Sequence, residues 1–181
     1  ERFARLFLES DRKDLVAAIY GLGDATHTWV EGYYQSVWQH VFFARPGDAV
    51  LKHMEPRKAT IANRGKIREV KLRLDAGFGR RTLQALVPVR KALAACAQDP
   101  AADPHAILPY WIFATDTLVH AARKLSLLGP GGKDAKAGRQ ALRREMRGLR
   151  QRFLRLWLAR NRKSEIRITL KRYDLAIRAL R

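Results

Sequence analysis

Apolar positions recur along most of the chain at steps of three and four, the period of a helix with one face turned inward. Phe3, Leu6 and Phe7 begin one stripe. Asp11 can cap a second helix whose buried side is Leu15, Val16, Ile19, Tyr20 and Leu22, with Gly21 and Gly23 near its end. Between Trp29 and Phe43 the large apolar residues cover far more than the roughly 100° arc of a surface helix. Either both sides of such a helix are buried, which is the favoured reading, or one side is an aromatic patch open to a protein partner. Tyr33, Tyr34, Trp38, Phe42 and Phe43 are the contact candidates of that patch.

Arg45 to Asp48 reads as a turn, and Glu55-Pro56 as a break. Ile61, Ile67, Val70 and Leu74 then fit a sparse helix from Lys58 to about Leu74. Gly77 and Gly79 interrupt, and Leu83, Leu86, Val87, Val89 and Leu93 mark a helix from Arg80 to Ala97, with a kink expected at Pro88. After a loop at 99–104, a helix from about His105 to Leu128 turns Leu108, Trp111, Ile112, Thr115, Leu118, Val119 and Leu125 inward. Gly129-Pro130-Gly131-Gly132 ends it and opens a flexible linker at about 129–138. Leu142, Met146, Leu149 and Phe153 form the seam of the next helix. Ile166, Leu170, Tyr173, Ile177 and Leu180 form the seam of the last, antiparallel to it across a short Asn161–Lys163 connection. The pattern predicts an all-α fold: one domain over 1–181, a compact bundle of six or seven helices with no β-sheet.

Composition changes the picture in one respect, charge. The 181 residues include 36 Lys and Arg against 17 Asp and Glu, a formal net charge of +19. Residues 1–56 carry 6 basic and 8 acidic side chains, and 92–138 carry 4 of each. The excess sits in 57–91, with 11 basic against 2 acidic, and in 139–181, with 15 against 3. If these two segments lie side by side they form one positive face that attracts phosphates or acidic partners. Its candidate polyanion contacts are Arg64, Lys66, Arg68, Lys71 and Arg73, with Arg143, Arg147, Arg150 and Arg155. No motif that reads bases accompanies them, so non-specific binding is all the charge supports.

Catalytic chemistry finds little support. Histidines 27, 40, 53, 105 and 120 lack HxxxH or HExxH spacing, and Cys96 is the single cysteine, so no metal site and no disulfide is expected. Gly129 to Lys133 lacks the preceding strand and following Ser/Thr of a phosphate loop. No cofactor is implied and no catalytic residue is assigned. The longest apolar run, Leu15 to Gly23, is too short for a membrane span, and no basic-then-apolar leader suggests a signal peptide. The length is also too short for a (β/α)₈ barrel, which needs about 250 residues.

One resemblance adds to this. Residues 111–129 and 142–174, above all Phe153 and the block Leu156-Trp157-Leu158-Ala159-Arg160-Asn161-Arg162, resemble the C-terminal helical region of bacterial family-20 glycoside hydrolases, the β-N-acetylhexosaminidase-like group. Asp14 to Asp24 is similar to helix pairs earlier in that region. In that family the chemistry belongs to an Asp-Glu pair in a preceding barrel. Neither is present here, so the resemblance carries over no catalytic residue. Lys163 stands where the family pattern has Pro, and Trp29 to Phe43 does not match. The resemblance implies a detached helical module, natural or redesigned, that is non-catalytic and acts through partner binding. The alternative from charge alone is a basic helical protein that binds nucleic acid or polyphosphate.

Overall fold

A computed structural model describes residues 12–26, 28–30, 37–52, 55–63, 66–99, 106–161, 163 and 166–181. Helices dominate, seven of them among the described residues: α1 (Lys13–Thr26), α2 (Val37–Phe43), α3 (Ala49–Lys52), α4 (Ala76–Cys96), α5 (Leu108–Leu128), α6 (Lys136–Leu158) and α7 (Ile166–Ala179). The expected absence of a sheet is corrected. Strands β1 (Thr28–Val30), β2 (Arg57–Asn63) and β3 (Lys66–Leu72) form a small antiparallel sheet in the order β1-β2-β3.

The sheet occupies the segment that resembled a sparse helix. Strand register pairs Arg57 with Leu72, Ala59 with Val70 and Ile61 with Arg68, which places these side chains on one face. Ala59 is buried on it, and Val70 and Leu72 pack against the core. Lys58, Thr60, Glu69 and Lys71 take the other face. With so few apolar residues, Ile67, Val70 and Leu74 fit a step of three or four by coincidence, although Ile67 is 74% exposed. The antiparallel hairpin pairs its strands as far as Asn63 and Lys66, and Arg64 and Gly65 lie outside the described residues.

The aromatic segment is likewise divided. Thr28–Val30 joins the sheet beside Ala59–Ile61, a helix spans Val37–Phe43, and residues 31–36 lie outside the described residues. Trp38 (1% exposed), Val41 and Phe42 are core residues, with Trp38 stacked on Phe78 at 5.3 Å and Phe42 edge-on to Tyr173.

The long helices complete the body. Asp75 caps α4, its side chain accepting from the Phe78 N–H at 2.7 Å. The helix runs through Gly77 and Gly79 without the predicted interruption, and it contains Pro88. Gly79 is where α4 meets α5: a Cβ there would stand 2.7 Å from Ala122 O and from Ser126 N and Oγ. The α5–α6 connection is anchored where Ala76 N donates to Pro130 O (2.9 Å). α6 packs on α5 and α7, burying Leu142, Met146, Leu149, Tyr173 and Ile177. Among the described residues no helix is long and apolar enough to cross a membrane.

Candidate functional site

The hairpin presents the first basic group. Lys66, Arg68, Lys71 and Arg73 are exposed, as is Lys58, which the register sets directly opposite Lys71. Like charges so placed repel. None of these five has an ion-pair partner among the described residues, and the single acid on β3, Glu69, is paired across the strands with Thr60. Arg64 falls outside the described residues.

The second group divides. Arg147 and Arg155 on α6 are exposed. Arg150 instead clamps Asp174 through Nε (2.8 Å) and Nη2 (3.3 Å), tying α6 to α7. Arg143 is half-buried, and its Nε has no hydrogen-bond partner among the described residues. Its pKa is lowered by desolvation and then by the charges of Arg147 and Arg181. The two groups sit in different neighbourhoods, the hairpin against α1 and α6 against α5 and α7. Further along the same two segments, Arg90 of α4 and Arg152 of α6 do meet, at Asp116.

The aromatic candidates fare differently. Trp38 and Phe42 are buried, so neither belongs to an exposed contact face, which corrects the patch alternative at those positions. Phe43 is half-buried, with the Arg172 guanidinium 4.2 Å above its ring. Tyr33 and Tyr34 lie outside the described residues.

Two sites escaped the sequence. The first is Lys124 on α5, wholly buried, whose Nζ donates to Phe42 O (2.5 Å) and Ala44 O (3.1 Å) at the end of α2. Burial pushes its pKa down to about 7, against a smaller upward pull from Asp48.

The second is a groove of about 430 Å³ between α4, α5 and α6. Asp116 sits between two guanidiniums, accepting from Arg90 Nε (2.6 Å) and Arg152 Nη1 (2.5 Å). Glu145 accepts from Arg123 Nη1 (2.6 Å) and lies 3.1 Å from His120 Nδ1. His120 is 1% exposed, and burial holds its pKa below the ordinary range, against the pull of Glu145. The neutral ring therefore donates from Nδ1 to Glu145. Partial burial opposes ionisation of Glu145, but His120 and Arg123 together outweigh it and keep its pKa low. Val87, Val119 and Leu149 give the groove apolar walls, and Gly148 opens one side. The two acids are among the four in 92–138 and the three in 139–181, and their spacing along the chain carries no signal of convergence. Among the described residues no group of three His, Cys, Asp or Glu could hold a metal.

No protein-family model, curated protein or solved structure matches this chain.

Proposed function

We propose that the protein is a non-catalytic, mainly helical module that binds polyanions, such as nucleic acid or polyphosphate, through exposed cations without reading sequence. The observation that carries this is the hairpin: Lys58, Lys66, Arg68 and Lys71 on its two strands, and Arg73 just past β3, are exposed with no ion pair among the described residues. Cations held apart from carboxylates keep their full attraction for phosphate, and phosphate binding relieves the repulsion between Lys58 and Lys71. Arg147 and Arg155 extend the same chemistry onto α6. Burial of Trp38 and Phe42 favours this reading over an aromatic partner face. The resemblance of residues 142–174 to a helical region without its family's catalytic residues agrees with the non-catalytic part.

Titration with single-stranded DNA and with polyphosphate tests it. Affinity is expected to fall steeply between about 50 and 200 mM salt. Replacing Lys58, Arg68 and Lys71 together by Gln should weaken binding for every sequence alike and flatten the salt slope by about 1 for every phosphate no longer neutralised. Absence of binding at low salt removes the proposal.

A further inference from the structure

The groove between α4, α5 and α6 holds more cation than its own acids consume. Three arginines face two carboxylates there, and His120 is neutral. Arg90, Arg123 and Arg152 each make one side-chain hydrogen bond to these acids. Arg152 also lies over the Phe113 ring at 5.6 Å, but each guanidinium has five N–H groups, and among the described residues these bonds use one of them. The carboxylates fix where those groups stand: Asp116 holds Arg90 and Arg152 on either side of itself, and Glu145 holds Arg123. Arg90 and Arg152 are partly withdrawn from water, which strengthens their pull on an anion beyond that of a fully exposed cation, and Arg123 is exposed at the rim. A planar fork of donors fits phosphate oxygens in particular.

The walls select further. Val87, Val119 and Leu149 line the same space, so the occupant has an apolar part beside its charge. Gly148 is the second observation. It lies inside α6, where glycine weakens a helix, and beyond its own stretch of helix no described atom stands within 4 Å of where its Cβ would be. Helix packing therefore does not require a glycine at this position, and its bare backbone widens the groove.

We propose that this groove binds a small phosphate monoester, its phosphate held by Arg90, Arg123 and Arg152 and its organic part lying along Val87, Val119 and Leu149. The site is separate from the hairpin and does not rest on polyanion binding there.

Calorimetric titration of the full chain with phenyl phosphate, and with benzoate for comparison, tests the assignment at an ionic strength of about 0.15 M, where charges more than roughly 8 Å apart are screened. Phenyl phosphate is expected to bind saturably and more tightly than benzoate. Gly148→Leu fills the open side without altering a charge and is expected to weaken phenyl phosphate by at least about tenfold, and Arg152→Gln by a similar factor. Both variants should keep the helical circular-dichroism spectrum and, because the hairpin is untouched, the salt-sensitive binding of single-stranded DNA. Equal affinity for benzoate overturns the phosphate assignment. Unchanged binding in Gly148→Leu, or no saturable binding by the unmodified protein, overturns the site.

Discussion

Lys124 shows how one side chain can defeat a reading of the sequence. It neighbours His120, Ala121 and Leu125 on the buried side of α5, yet its charge argues for solvent. It is accommodated because α2 ends against it, offering two carbonyl oxygens, the number of donors a neutral amine possesses. The unfolded chain keeps this proton to about 10.5, and the folded protein releases it near 7. Between those values the unfolded state binds more protons, so the lysine makes stability rise with pH and lowers it as pH falls toward 7. The full effect is up to about 5 kcal/mol. Urea denaturation from pH 7 to 8.5 should therefore show stability climbing more steeply in the unmodified protein than in Lys124→Met. The comparison isolates the lysine because Cys96, whose thiol burial pushes up, acts in the opposite direction as pH rises. Parallel curves would show that Lys124 carries no shifted proton.

At the scale of elements, the seams of α6 and α7 were legible because their apolar positions repeat over several turns, as Leu142, Met146 and Leu149 do. The hairpin was not legible. Its inner face depends on Ala59, Val70 and Leu72, too few to display an alternation against their many charged and polar neighbours. The glycines of α4 misled for a different reason: Gly79 serves contact between helices, and no local pattern reveals a neighbour 43 residues further on, at Ala122. Helix propensity alone makes Gly79→Ala a gain of up to about 1 kcal/mol. The 2.7 Å approach to backbone atoms of α5 reverses that sign, with an expected loss of about 1–3 kcal/mol. Gly148→Ala, with open space around it, should instead gain about 0.5–1 kcal/mol. Thermal denaturation of the pair checks both; a stabilised Gly79→Ala would contradict the close approach.

For the whole molecule, the segmental charge was readable but its placement was not. The first basic segment is divided between the hairpin and α4, the second runs through α6 and α7, and Arg90, Arg150 and Arg152 are engaged with Asp116 and Asp174. The groove was hidden as well, since Arg90, Asp116 and Glu145 come from three helices. A net charge of +19 makes the folded state repel itself. Raising salt shortens the reach of that repulsion to about 10 Å at 0.1 M, so the melting temperature should rise with added sodium chloride from low ionic strength. A melting temperature that falls instead would mean that ion pairs such as Arg150–Asp174 outweigh the repulsion.

β3 ends the sheet, and no other described strand pairs with its outer rim. An open rim is a template on which a second molecule can add its own strand, the first step toward a filament. Lys66, Arg68 and Lys71 stand along this rim, and identical rims so charged push one another away. The cations that the proposed function assigns to phosphate thus also oppose the zipping together of copies of the protein.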